Sequence, residues 1–268
     1  MSSVDITQEL PTVISFCSGY GGIERGLDLI GFEHRVIAYV EIEAYAIANL
    51  VNKMEAGLLP PAPIYTNLKT FPAHLFRDKV SLITGGYPCQ PFSAAGQRKG
   101  TDDPRHLWPY IRRHIEAIRP VQCFFENVEG HISLGLSSVV SDLEQDGYST
   151  TWGIFSAREV GAPHQRKRVY ILANAIGKRC RGGSHESTGW EMEIKRSSSL
   201  HLHKWPDRPD KFQQNRQIKA GHKPIFSREI DGCPNRVDRI RALGNGVVPQ
   251  TAGKAWATLN ARLEVVND

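Results

Sequence analysis

The sequence lacks any apolar run approaching the roughly 18–20 residues that cross a bilayer, so no membrane-spanning helix is expected. Its first residues, MSSVDITQELPTV, carry neither a basic flank nor an apolar core and do not read as a signal peptide. Cysteine is sparse: five residues, an odd number with no close pair, which points to free thiols in a reducing, cytoplasmic setting. There is no Cys-x-x-Cys, and the ten histidines show no ligand spacing, so no metal is expected. Residues 19–24 (GYGGIE) lack the third glycine that a dinucleotide fingerprint needs. Internal repeats are absent, and the only low-complexity tract is Ser197–Ser199.

What is there suits an ordinary globular chain. At 268 residues, 40% hydrophobic and 23% charged, it can bury one sizeable core and carry a small second lobe. The net charge of +5 is unevenly spread: residues 175–235 hold 12 Lys/Arg against 7 Asp/Glu, while the other 207 residues hold 21 of each. The excess therefore sits in one stretch, a candidate footprint for a polyanion. That stretch is short of apolar periodicity and scattered with Trp190, Trp205, Phe212 and Phe226. Apolar order returns after it, so the chain reads as a sheet domain (1–174 and 236–268) interrupted by an irregular inserted lobe (175–235). No interface pattern is visible, and a monomer is expected.

The stretch VSLITGGYPCQPFSAAGQ, residues 80–97, organises the rest. Val80–Ile83 reads as a buried parallel strand, and Thr84–Gly86 with Pro88 and Pro91 as an abrupt loop. Open α/β sheets bind ligands beyond the carboxyl ends of their strands. Cys89 lies there between two prolines that restrict the backbone; it is a candidate nucleophile, the alternative being an inert packed thiol. Other strands are expected at 13–17, 36–40, 64–68, 121–125, 150–156 and 169–173. Ser18-Gly-Tyr-Gly-Gly22 forms a strand-to-helix turn that a ligand can approach closely. Glu41 ends the second strand, where a carboxylate can pair with ribose hydroxyls. Glu126 follows the 121–125 strand at the same sheet edge as Cys89. Arg166 and Arg168 lead into a buried strand and alternate on one side, which suggests an anion or carboxylate partner. Residues 96–106, polar and charged with both signs, are a candidate lid. Helices are read from Ile23, Leu27 and Ile30; from 43–53; from Leu107, Ile111, Ile115 and Ile118; from Leu136, Val139, Val140 and Leu143; and from Ala252, Ala255, Trp256, Leu259 and Leu263.

The ordered set of Ser18–Gly22, Glu41, Pro88-Cys-Gln-Pro-Phe-Ser93, Glu126-Asn-Val128, Gln165-Arg-Lys-Arg168 and Gly244-Asn-Gly246 resembles the DNA (cytosine-5)-methyltransferases of bacterial or phage type. The resemblance covers residues 12–174 and 237–263, all but the basic lobe. It implies an α/β, Rossmann-like S-adenosylmethionine-dependent methyltransferase sheet with helices on both faces, and it makes 175–235 the target-recognition lobe. It also implies S-adenosyl-L-methionine as methyl donor, double-stranded DNA as partner, a flipped cytosine as substrate, and in some settings a cognate restriction endonuclease.

By the same resemblance, Cys89 is the nucleophile, Glu126 contacts the base's ring nitrogen 3 and exocyclic amine, and Arg166 and Arg168 support the site. Cys17, Ser18, Gly19, Tyr20, Gly21, Gly22, Glu41, Ile42, Asn67, Leu68, Gly86, Pro88, Leu107 and Asn245 would surround the donor. Gln90 and Ser93, with Arg179, Arg181, Arg196 and Lys204 of the lobe, would meet DNA. Ser15 and Cys17 stand where family members often have Asp and Phe, and Asn67 where they often have Asp. These departures bear on donor binding rather than on the fold. Rival functions are the same chemistry on transfer RNA and a catalytically silent DNA-binding protein; Cys89 and Glu126 argue against the latter, because a binder needs neither.

Overall fold

The computed structural model describes residues 9–88, 107–177 and 244–267. Seven strands form one sheet: β1 (Thr12–Phe16), β2 (Arg35–Val40), β3 (Ile64–Tyr65), β4 (Leu82–Gly86), β5 (Gln122–Val128), β6 (Tyr148–Ser156) and β7 (Lys167–Ala175). Helices are α1 (Gly22–Leu29), α2 (Ala44–Glu55), α3 (Trp108–Ile118), α4 (His131–Leu134), α5 (Leu136–Gln145) and α6 (Pro249–Asn267). The strand order is β3-β2-β1-β4-β5-β7-β6. Strands β1 to β5 are parallel, β7 runs against β5, and β6 against β7. Among the described residues, no helix is long and apolar enough to cross a membrane.

The apolar runs make the central strands because both faces of the sheet are covered. On one face Ile14, Phe16, Ile83, Phe125 and Ile171 pack with Ile111 and Ile115 of α3 and Val139 and Leu143 of α5. On the other, Val13, Tyr39, Leu82, Phe124 and Tyr170 pack with Leu27 of α1, Leu50 of α2 and Trp256 and Leu259 of α6. Helix α6 reaches α1 through small residues. A Cβ on Gly26 would lie 2.5 Å from the Pro249 carbonyl oxygen, and one on Gly253 2.7 Å from that of Gly26. This contact returns the chain, after the basic stretch, to the helix that follows β1.

Three strand expectations shift. The third strand, expected over 64–68, is only Ile64–Tyr65, because the Asn67 side chain accepts from the Lys69 N–H and starts a tight helical turn at Leu68–Thr70. The fourth strand begins at Leu82 and continues through Thr84, Gly85 and Gly86 rather than stopping before them. Those glycines are strand residues because their neighbours occupy the side-chain space: a Cβ on Gly85 would meet the Phe125 ring at 3.3 Å, and one on Gly86 the Glu126 Oε2 at 3.3 Å. Likewise β5 runs on to Val128, so Glu126 and Asn127 are ladder residues rather than the loop beyond it. The Thr84 hydroxyl donates to the buried carboxylate of Glu24, tying α1 onto β4.

Candidate active site

The direction of chain progression reverses between β1 and β4: β2 and β3 lie to one side of β1, while β4 and β5 lie to the other. A crevice at the carboxyl ends of the strands follows from this switch. Five parallel strands deliver Ser18–Gly22, Glu41, Tyr87-Pro88 and Glu126 to one edge. Because β7 is antiparallel, its first residues, not its last, arrive at that same edge. This is why Arg168, forty-two residues later in the chain, pairs with Glu126, with the charge of Arg166 nearby.

On the β1–β2 side the backbone does the organising. Glu41, 8% exposed, accepts from three main-chain N–H groups: Gly19 to Oε2 at 2.8 Å, Ile42 and Glu43 to Oε1 at 2.8 and 2.9 Å. Ser18 Oγ donates to the Ser15 carbonyl at 2.9 Å, and its N–H donates to the Val40 carbonyl, so β1 and β2 share this corner. Gly19 and Gly21 take the left-handed conformation, and Gly21 opens α1 without a side-chain cap. The first-turn N–H groups of α1 are thus not capped by a side chain, the arrangement an anionic ligand group uses. Lys53 Nζ donates to the Tyr20 carbonyl at 2.8 Å, which pins the turn from α2. Ile42 is 73% exposed beside Glu41, an apolar surface a flat ring could cover. Cys17, left-handed at φ 50°, packs against the core; burial, and then the Glu41 carboxylate, push its thiol up to about 12. It is therefore a packing thiol and no nucleophile at neutral pH. Asn67 Oδ1 accepts from Lys69 N–H at 2.9 Å, which leaves it one further lone pair. Leu68 is buried and its carbonyl accepts from His114 Nε2 at 2.6 Å. Leu107 precedes α3 and is half-buried.

On the β5–β7 side charge does the organising. Glu126 is 6% exposed, and burial pushes its carboxyl up to about 7 against the opposing pull of Arg168 and then Arg166. Arg168 Nε lies 2.9 Å from Glu126 Oε1, yet off the line of a hydrogen bond, so this buried oxygen has no aligned donor. A carboxyl so placed shares its proton near neutral pH. Register explains the pairing: Arg168 is opposite Val128, on the same sheet face as Glu126 and diagonal to it. Arg166 precedes β7 with φ 36°, and its Nη2 donates to the carbonyls of Gly244 and Gly246 at 2.8 and 2.6 Å. It thereby anchors the Gly244–Gly246 turn, with exposed Asn245 between the two carbonyls. Val247, just beyond, lies over both sides of the crevice, because a Cβ on Gly22 or Gly86 would approach it at 2.9 or 3.7 Å.

The expected residues thus fall together: Ser18–Gly22, Glu41, Ile42, Gly86, Pro88, Glu126, Arg166, Arg168 and Asn245 share one sheet edge. Cys89, Gln90, Ser93, Arg179, Arg181, Arg196 and Lys204, the 96–106 lid and nearly all of the 175–235 lobe lie outside the described residues. Sequence reading missed Tyr87 and His131. Tyr87 Oη lies 3.0 Å from His131 Nε2, and Asn127 Nδ2 donates to the Tyr87 carbonyl at 3.1 Å. The one available signal was Tyr87's place immediately before Pro88-Cys89.

Residues 11–224 match the family model for C-5 cytosine-specific DNA methylases. The chain is 31% identical to the Type II methyltransferase M.NaeI of Lentzea aerocolonigenes over 166 residues, 60% of this chain and 39% of that protein. It is 30% identical to the Type II methyltransferase M.BsuRI of Bacillus subtilis over 196 residues, 64% of this chain and 45% of that protein. The chain thus spans less than half the length of these two relatives. Among solved structures, the S. pombe Dnmt2 methyltransferase superposes with a TM-score of 0.52 at 24% identity, over 66% of this chain and 57% of that one. The Spodoptera frugiperda DNMT2 mutant does so with a TM-score of 0.52 at 22% identity, covering 62% of this chain and 50% of that one. These structural likenesses show the shared Rossmann-like fold.

Proposed function

We propose, for a chain that belongs to the C-5 cytosine-specific DNA methylase family, that it transfers a methyl group from S-adenosyl-L-methionine to carbon 5 of cytosine in a short sequence of double-stranded DNA. The observation that carries this reading is Glu126: a carboxyl poised near neutrality by burial, at the sheet edge reached by the strand that leads to Cys89. Further support comes from the names of the curated relatives, Type II methyltransferases. That naming also fits a companion restriction endonuclease acting at the same site.

Cytosine carbon 5 is a poor nucleophile until a thiolate adds to carbon 6. In this reading Cys89 adds there, and ionising a thiol of ordinary pKa at pH 7 costs about 2 kcal/mol. Addition drives charge onto ring nitrogen 3, and protonated Glu126 donates to that atom as the charge forms. Arg168 steadies the carboxylate left behind, and Arg166 keeps the Gly244–Gly246 turn over the crevice. Carbon 5 would then take the donor's methyl group, the sulfur–methyl bond breaking to leave S-adenosyl-L-homocysteine. Departure of the carbon-5 proton to a base, of the thiolate from carbon 6 and of the nitrogen-3 proton back to the Glu126 carboxylate restores the ring. Reaching carbon 6 inside a duplex requires flipping the base, at a cost of a few kcal/mol. Phosphate contacts by the basic lobe, 175–235, would offset it and make binding salt-sensitive; in this division 1–174 and 236–268 are the catalytic domain.

The crevice residues fit the donor. Uncapped N–H groups of α1 suit the carboxylate of its methionine part, Glu41 retains one lone pair, on Oε2, for a ribose hydroxyl, and exposed Ile42 suits the adenine face. S-adenosylmethionine, when bound there, supplies an electrophilic methyl on sulfur. The test is bisulfite sequencing of plasmid DNA from a host that lacks cytosine methylation and expresses this chain. Protection of cytosines in one short context is expected, and Cys89→Ala should abolish it while leaving DNA binding in gel shifts nearly intact. Soluble protein with no protected cytosine would remove the DNA reading.

A further inference from the structure

The face of the sheet opposite Glu126 holds a second polar arrangement that the proposed chemistry does not use. Asn127 alternates with Glu126 along β5 and therefore points to the face covered by α3, α4 and α5. There its Nδ2 donates to the Tyr87 carbonyl at 3.1 Å, and its Oδ1 accepts from Val128 N–H at 2.8 Å. Tyr87 is 3% exposed, with its hydroxyl 3.0 Å from Nε2 of His131, the first residue of α4 and fully buried. The Tyr87 ring meets Phe125 and His131 edge-on, with centroids 5.9 and 5.6 Å away, and lies tilted on Trp108 at 5.6 Å. Gly135 closes the seat from behind: a Cβ there would lie 2.9 Å from the His131 Cε1.

A packing role alone does not call for these groups. Phenylalanine and leucine would fill the same space, whereas a buried hydroxyl and imidazole must both give up water before they bond to each other. His131 Nδ1 has no hydrogen-bond partner at all. What the bond adds is direction. Tyr87 is held at its carbonyl by Asn127, at its ring by Trp108 and Phe125, and at its hydroxyl by His131. The residue that feeds the peptide into Pro88 and Cys89 is thereby fixed at both ends.

We propose that Tyr87 and His131 are a positioning pair for the Pro88–Cys89 corner, setting the direction in which the chain leaves β4 and so the approach of the Cys89 sulfur to the base. The proposal rests on the reading of Cys89 as nucleophile. An error of about 1 Å in a reacting group can cost on the order of a hundred-fold in rate, so a lost latch should appear in the chemical step and not in binding.

The experiment compares single-turnover methyl transfer by the full chain and by Tyr87→Phe, His131→Leu, the double variant and His131→Gln. KM for DNA and for donor, thermal midpoints, and the rate of Cys89 alkylation by iodoacetamide (read by peptide mass) are followed in parallel. Tyr87→Phe and His131→Leu should each slow the chemical step about ten-fold with both KM values nearly unchanged. The double variant should be no slower than either. His131→Gln, which keeps an acceptor near the Nε2 position, should recover most of the rate. Cys89 alkylation should change in step with turnover. Ile118→Val, a small core change in α3, serves as the stability control and should keep its rate. A Tyr87→Phe protein that transfers at the native rate overturns the proposal, as does a loss that Ile118→Val matches at equal thermal midpoint. If Cys89→Ala is inactive while Tyr87→Phe is native-like, only the positioning role fails. If Cys89→Ala still transfers methyl groups, the nucleophile reading fails, and the pair's role with it.

Discussion

Two glutamates stand at the same edge of one sheet, equally buried, and their surroundings give them different work. Glu41 is met by three backbone N–H groups and shapes the turn that contributes them. Glu126 is met by the Arg168 guanidinium, feels the charge of Arg166, has no donor aligned on Oε1, and is pushed up to about 7 by burial. A carboxylate held by three backbone amides is a fixed acceptor, and the lone pair left on its Oε2 suits a neutral hydroxyl. A carboxyl that burial holds near neutrality moves its proton easily, which is what charge developing on a ring nitrogen demands. The β1–β2 side of the crevice thus reads as a place to bind and the β5–β7 side as a place to react.

The largest expected effect separates these two sides at once. Glu126→Gln keeps the shape but cannot deliver a proton, and general-acid losses of this kind run to about a hundred- to ten-thousand-fold. The chemical step should fall by roughly that much while donor affinity stays put. In the native enzyme the protonated form is the competent one and prevails below about 7, while the Cys89 thiolate fraction grows with pH, so the rate should climb up to about 7 and then level off; in Glu126→Gln it should keep climbing past that value. A rate for Glu126→Gln within a few-fold of native would end the distinction between the two carboxylates.

The next effect concerns stability, and there Glu126 and His131 oppose each other across the sheet. The fold favours protonated Glu126, with its carboxyl raised from 4.5 to about 7, so that contribution is full below 4.5 and lost as pH rises through 7. The fold favours neutral His131, lowered by burial from 6.5 to about 4, so that contribution is full above 6.5 and lost as pH falls toward 4. Each is worth on the order of 3 kcal/mol over its window. In the native chain the two slopes work against each other. Relative to native, Glu126→Gln should therefore gain stability as pH rises from 5 to 8, and the deficit of His131→Gln should shrink as pH falls from 7 to 5. Urea midpoints at four pH values read both. Parallel slopes for the two variants would show that burial does not set these protonation states.

Much of this arrangement was legible in the sequence, and the parts that were not have physical reasons. Apolar runs located the strands because both sheet faces are buried, and glycine, glutamate and arginine motifs located the crevice. Thr84–Gly86 read as a loop because glycine signals turns; here the glycines are strand residues with Phe125 and Glu126 so close that a Cβ on either would push its neighbour back by a few tenths of an ångström. Arg168 met the carboxylate expected of it. Arg166 met carbonyls of Gly244 and Gly246, 78 and 80 residues onward, a pairing made by the return of α6 to α1 and invisible to local pattern. His131 carried no spacing signal, because its partner is a tyrosine 44 residues earlier, just past the end of β4.

The smallest effect is the sharpest test of the binding side. In Glu41→Gln the amide oxygen can still accept from Ile42 and Glu43, but an N–H₂ group now faces the Gly19 N–H, donor against donor. The turn must give way there, and one charge-assisted acceptor for the ribose is lost, together worth about 1–2 kcal/mol. Binding of S-adenosylhomocysteine, followed by titration calorimetry, should weaken about ten-fold, since about 1.4 kcal/mol is a factor of ten in affinity. The rate at saturating donor should hold within about two-fold, because nothing that Glu41 touches takes part in the proton movement at Glu126. If the saturated rate instead fell as far as in Glu126→Gln, binding and reaction would not be divided between the two ends of the crevice. The contrast in hydrogen bonding between the two carboxylates would then be a matter of packing alone.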